Sequence, residues 1–171
     1  MTKNRQTKET PVAALAGNPN VGKSTIFNAL TGMRQHTGNW PGKTVSLAQG
    51  VCVYKGEEIR LVDLPGTYAL VSKSQEETLA AGFISGGEAD CVIAVCDATS
   101  LERSLILALQ VMELTDRVIV CVNLMDGAQK QGIEIDLAAL SFELGVPVVA
   151  ASASREEGMG ELLEQLRRIL D

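Results

Sequence analysis

The feature that most restricts this chain is the run GNPNVGKS at residues 17–24, which fits the spacing G-x-x-x-x-G-K-[S/T]. It follows an apolar run at 12–16 and precedes a helical pattern at 24–30, the strand–loop–helix setting that gives the motif its meaning. Glycines let backbone N–H groups turn inward on phosphate oxygens, and the helix N-terminus adds partial positive charge. Lys23 can then reach the β- and γ-phosphates, and the Ser24 hydroxyl can ligate Mg²⁺. Asn18, Asn20, Val21, Gly22 and Thr25 complete the candidate cradle. In 171 residues a chance match has a probability on the order of 1%, so an ordinary glycine turn is the weaker reading.

Around this motif, apolar runs alternate with helical stretches, the pattern of an α/β fold on a mostly parallel sheet. Strands are expected at 12–16, 45–54, 58–63, 91–95, 118–122 and 146–150. The segments 45–54 and 58–63 are joined by Lys55-Gly56-Glu57, a hairpin signal that makes one edge strand antiparallel. Helices are expected at 24–30, 75–84, 101–114, 137–144 and 160–170. The prediction is a P-loop NTPase three-layer sandwich with a six-stranded sheet, a polar disordered lead-in at 1–10 and one domain over 11–171. Residues 33–43, rich in Gly, Asn and Pro, read as a long functional loop.

Composition narrows the partners. A formal net charge of −6 argues against duplex nucleic acid, whose phosphates call for a basic face. No apolar run reaches the length of a membrane span, and the polar N-terminus lacks the stretch of a secretory signal. Cys52, Cys91, Cys96 and Cys121 form no CxxC pair and lie in apolar runs, so they read as buried reduced thiols. His36, the only histidine, sits in a polar loop and receives no role.

Three further motifs follow in order. Asp63-Leu64-Pro65-Gly66 ends a strand, where Asp63 can hold Mg²⁺ through water and the Gly66 N–H can bond the γ-phosphate. Asn123-Leu124-Met125-Asp126 ends another. The Asp126 carboxylate can accept from guanine N1 and N2, a donor pair that adenine lacks, while Asn123 braces the phosphate loop, and Met125 is counted with them among the nucleotide-binding residues. Ser152-Ala153-Ser154 ends the last strand, and the Ala153 N–H is the candidate for guanine O6. Thr44, at the end of the long loop, is the candidate for a second hydroxyl on Mg²⁺ and an N–H on the γ-phosphate, an arrangement that would make a switch. The candidate catalytic set is Lys23, Asn20, Thr44 and Gly66.

With these residues the sequence resembles the translation-factor-like GTPases, and more closely the cytoplasmic G domain of the bacterial ferrous iron transport protein B family. The resemblance runs from Val12 to the last helix and rests on GNPNVGKST (17–25), TGNWPGKTV (37–45), DLPGTYAL (63–70), DATSLERSL (97–105) and NLMD (123–126). It implies Mg-dependent GTP hydrolysis stimulated by potassium, with Asn20 and the carbonyls around Gly38 and Trp40 as the potassium ligands. A monovalent cation there would offset charge developing between the phosphates. The resemblance also implies a parent protein that moves Fe²⁺ inward, the G domain lying on the cytoplasmic side of the inner membrane ahead of a helical domain and transmembrane helices. The chain reads as an excised G domain or the product of a shortened gene.

Some residues depart from the family pattern. Ser46-Leu47 stand where it has a charged pair, and Lys43 stands where it is apolar. Thr67 stands where Ras-like enzymes carry a water-orienting glutamine, so slow turnover is expected. Other readings stay open at this point: a regulatory GTP switch with negligible hydrolysis, an RNA- or ribosome-associated assembly GTPase, and, weakest, an ATPase. Self-association is also open.

Overall fold

The structure, a computed structural model, describes residues 9–32, 35–39, 46–71 and 73–171. Trp40, Lys43, Thr44 and residues 1–8 of the expected lead-in lie outside these. The strands are β1 (Val12–Gly17), β2 (Gln35–Asn39), β3 (Ser46–Tyr54), β4 (Glu57–Asp63), β5 (Cys91–Asp97), β6 (Val118–Asn123) and β7 (Val148–Ala150). The helices are α1 (Lys23–Thr31), α2 (Gln75–Ser85), α3 (Leu101–Leu114), α4 (Met125–Lys130), α5 (Leu137–Leu144) and α6 (Met159–Leu170). Among the described residues no helix is long and apolar enough to cross a membrane.

The central strands are apolar at nearly every position because both of their faces are covered. Val12, Ala14 and Ala16 of β1, Val92 and Ala94 of β5, and Val118, Val120 and Val122 of β6 pack in one core with Phe83 of α2 and Val111 of α3. The alternate residues, Ala13, Leu15, Cys91, Ile93, Ile119 and Cys121, pack in a second core with Phe27 of α1 and Leu162 and Leu166 of α6. The period of two along each strand thus divides one sheet between two helical layers.

The sheet order is β2-β3-β4-β1-β5-β6-β7, seven strands where six were expected. The α/β sandwich and its mostly parallel sheet are as expected. The additional strand is β2, which falls in the segment read as loop. Its sequence QHTGN has no apolar alternation, and backbone pairing to β3 alone defines it, in the register Gly38↔Leu47. Strand β3 runs against its neighbours on both sides, and β2 covers it, so the antiparallel strand lies one place in from the edge.

Most other elements agree with expectation to within a residue or two at their ends, and two differences have a clear physical reason. The last strand begins at Val148 rather than 146, because Pro147 has no N–H to give a ladder and contributes only its carbonyl, to Val120 N at 2.9 Å. Helix α4 lies where no helix was expected; its six residues are too few for a periodicity signal, and Gly127 weakens it further.

The topology places the motifs together. Strands β1, β4, β5, β6 and β7 are parallel, so Gly17, Asp63, Asp97, Asn123 and Ala150 end at one edge of the sheet. Ligand sites of open α/β sheets form at that edge.

Candidate functional site

Helix α1 starts directly after the phosphate loop, so the loop N–H groups and the free N–H groups of its first turn converge on one cleft. That cleft has a volume of about 450 Å³ and is lined by Asn18, Pro19, Asn20, Gly22, Lys23, Ser24 and Gly66. Asn20 takes a left-handed backbone, φ 68°, a conformation asparagine tolerates better than most residues. Gly22 has φ 82°, and a Cβ there would run into the Asn123 amide, so both backbone and space demand glycine. Ser24 and Thr25 are exposed at the start of α1. Asn18 is 6% exposed, and its Oδ1 is buried in the loop without a hydrogen-bond partner among the described residues.

Lys23 and Asp63 form an ion pair, and Lys23 Nζ also donates to Leu64 O at 2.7 Å. The segment from Asp63 to Thr67 is fastened to β1 and the phosphate loop. Leu64 N donates to Leu15 O at 3.0 Å, and Thr67 N donates to Gly17 O at 3.2 Å. Gly66 lies so near Pro19 that a Cβ would come within 3.3 Å of its nitrogen. Thr67 is 6% exposed and is not among the residues that line the cleft.

At the other end of the site Asn123, 1% exposed, joins two loops. Its Nδ2 donates to Val21 O and its Oδ1 accepts from Ala153 N, both at 3.0 Å. The Ala153 N–H assigned to guanine O6 is therefore engaged with Asn123 in this structure, because the two loop ends meet there. Leu124 takes a left-handed backbone, φ 63°, turning the chain from β6 into α4. Met125 N donates to Ala151 O and Asp126 N to Ser152 Oγ, each at 3.1 Å. The turn at Asp97 backs this motif: Asp97 Oδ1 accepts from Thr99 N at 2.8 Å and Thr99 Oγ1 at 2.6 Å, and Thr99 adjoins Gly127 of α4. DATSLERSL is thus a structural cap that supports the site from behind.

Sequence reasoning missed Arg155, whose Nε stands 3.8 Å from Asp126 Oδ2. An arginine in a polar loop carries no signal of its own; only the loop's closure brings it to Asp126. Gly38, on β2, is half-buried in the strand ladder, while Ser154 is exposed beyond Ala153. The four cysteines are all buried, and burial pushes Cys52 up to about 11 and Cys91, Cys96 and Cys121 up to about 12. At neutral pH these thiols stay protonated, which suits packing and disfavours metal ligation. A larger cavity, about 710 Å³, lies at the opposite edge of the sheet by Arg60, Asp90 and Arg117, away from every motif.

Residues 11–166 match the sequence model of a family described as Ferrous iron transport protein B. The Fe(2+) transporter FeoB of Salmonella typhimurium is 47% identical over 152 residues, covering 86% of this chain and 20% of that protein. The chain therefore spans about a fifth of the length of the curated relatives it matches. The crystal structure of the G domain of the T. maritima FeoB iron transporter superposes with a TM-score of 0.87 at 44% identity, covering 95% of this chain and 99% of that one. The cytosolic domain of the same transporter in its GMPPNP form gives 0.88 at 45% identity, covering 93% and 63%. The fold is that of a P-loop GTPase G domain.

Proposed function

Because the chain belongs to the ferrous iron transport protein B family, we propose that it binds GTP with Mg²⁺ and hydrolyses it to GDP and phosphate. The observation that carries this reading is Asn123. One buried amide bonds both the phosphate loop, at Val21 O, and the Ser152–Ser154 loop, at Ala153 N. It fixes the phosphate cradle relative to Asp126, whose carboxylate accepts from guanine N1 and N2 and discriminates against adenine.

The residues fit Mg²⁺. Ser24 offers a hydroxyl in the lining of the cleft and Asp63, paired with the cleft residue Lys23, a carboxylate, both hard oxygen donors, and the buried Asn18 Oδ1 in the same lining has no hydrogen-bond partner among the described residues. A bound Mg²⁺ supplies charge neutralisation at the phosphate oxygens. With nucleotide bound, Lys23 would exchange Asp63 and Leu64 O for phosphate oxygens, leaving the Asp63 carboxylate free to help hold Mg²⁺. Gly66 N–H bonds the γ-phosphate, with Thr44 as the second hydroxyl. Thr67 is buried and its N–H committed to Gly17 O, so water positioning falls to backbone groups and turnover is slow. This also gives a regulatory switch with a slow reset its one specific support.

Asn20, with Gly38 and Trp40, is proposed to hold the potassium ion that the family pattern implies. In the parent protein the domain would sit on the cytoplasmic side of the membrane, its nucleotide state coupled through helical and transmembrane segments to Fe²⁺ import. Its partners are guanine nucleotide and those segments, not nucleic acid. The test is GTP hydrolysis with Mg²⁺ in potassium chloride and in sodium chloride at equal ionic strength. Stimulation by potassium that is lost in Asn20→Ala, with GTP binding retained, is expected. Equal rates in both salts contradict the potassium assignment, and tight binding without turnover in either contradicts hydrolysis.

A further inference from the structure

Arg155 is placed by the same backbone that places the base-recognition loop. Ser152 and Glu157 exchange backbone hydrogen bonds of 3.1 and 3.2 Å, closing a short loop, and Arg155 N donates to Ser152 O at 2.9 Å inside it. The loop leaves through Gly158, φ 86°, where a Cβ would strike Ala150 O, so its path is fixed. Ser152 Oγ also accepts from Asp126 N at 3.1 Å. One serine therefore sets the register between the loop that carries Arg155 and the helix that carries Asp126.

Across this junction Arg155 Nε stands 3.8 Å from Asp126 Oδ2, with the side chains 51% and 21% exposed. So solvated a pair contributes little to the fold. Its electrostatic setting is more telling. Asp126, Glu134 and Glu157 line one cavity of about 430 Å³, and Arg155 is the cation among its lining residues. Without Arg155, three carboxylates would share that space with no cation among them, and their repulsion would turn Asp126 away from its place. An ionised carboxylate has about four acceptor positions. Two guanine N–H donors leave the outer ones free, so Arg155, which approaches a single oxygen, can stay while the base is bound.

We propose that Arg155 is a positioning residue for guanine recognition, acting through Asp126 to hold its carboxylate aimed at the base. The proposal rests on the guanine reading of the site. Equilibrium titration with GDP and with inosine diphosphate, which lacks the N2 amino group, tests it in the wild type, Arg155→Ala, Arg155→Lys and Asp126→Ala. Arg155→Ala weakens GDP by about 3- to 5-fold, the scale of one solvated charge pair, and weakens inosine diphosphate less, since only one of its bonds depends on Asp126. Arg155→Lys recovers part of the loss, high salt erases the difference, and the melting temperature stays unchanged. Unchanged or tighter GDP binding in Arg155→Ala overturns the proposal, as does an equal loss for both nucleotides. If Asp126→Ala binds GDP like the wild type, the guanine reading itself fails. If Asp126→Ala loses binding while Arg155→Ala does not, only the role of Arg155 fails.

Discussion

At the base end of the site, Asn123, Ser152, Ala153 and Asp126 are tied to one another and to Val21 by hydrogen bonds of 3.0 to 3.1 Å. At the phosphate end, Lys23 is held by Asp63 and by the Leu64 carbonyl, partners that it has to give up to bind phosphate. The first region is already joined by these bonds; the second, on the proposed function, would exchange its contacts when nucleotide binds. On the proposed function, selectivity resides in the interlinked base end, where a wrong base would leave the Asp126 acceptor unpaired. On the same proposal, response to the γ-phosphate would reside in the phosphate end, because Asp63, Gly66 and Thr67 lie on one segment docked against β1 and the phosphate loop. Recognition and switching would then use different hydrogen-bond sets, joined by Asn123 through Val21 O and Ala153 N.

The largest way to break the comparison is Gly22→Ala. The methyl group meets the Asn123 amide, and the residue must hold φ 82°. Forcing alanine into that conformation costs about 1–2 kcal/mol, and a disrupted buried hydrogen bond about 1–3 kcal/mol more. A melting temperature lower by roughly 5–15 °C and a severe loss of nucleotide binding are expected, checked by thermal unfolding and titration. Binding near the wild-type level would show that Asn123 is not the joint between the two ends.

A much smaller effect comes from a polar tie remote from the site, which sharpens the contrast by leaving both ends alone. Glu164 of α6 accepts from Tyr54 OH at 2.7 Å and Lys55 Nζ at 3.0 Å, and these bonds lower its carboxyl from 4.5 to about 2. Because the folded value is depressed, the stabilisation is present above the ordinary value and is lost as pH falls through the interval toward 2. Tyr54→Phe is expected to flatten the fall of melting temperature with pH over that interval while leaving GTP affinity at neutral pH unchanged. Acid unfolding followed by circular dichroism reads the first, and nucleotide titration the second.

Much of this arrangement is legible in the sequence, for identifiable reasons. VAALAG, CVIAVCD and VIVCVN are apolar at nearly every position, as strands covered on both faces must be. GNPNVGKS, DLPG and NLMD carry their chemistry in side chains whose spacing is fixed by adjacent strand ends. What escapes is what depends on closure. The polar strand QHTGN exists by virtue of the edge of β3, and α4 exists by virtue of the turn at Leu124 and the support of Thr99. Arg155 meets Asp126 only after Gly158 lets the chain fold back. The engagement of Ala153 N–H by Asn123 is likewise a property of two loops meeting.

The most direct measurement of the central claim compares GTP, xanthosine triphosphate and ATP binding to the wild type and to Asp126→Asn. An amide at residue 126 offers a donor where guanine needs an acceptor, while xanthine presents a carbonyl at that position. The account predicts that the wild type prefers GTP by at least about 100-fold over both other nucleotides, and that Asp126→Asn transfers the preference to xanthosine triphosphate. Comparable ATP and GTP affinities in the wild type, or an unchanged order of preference in Asp126→Asn, would contradict it.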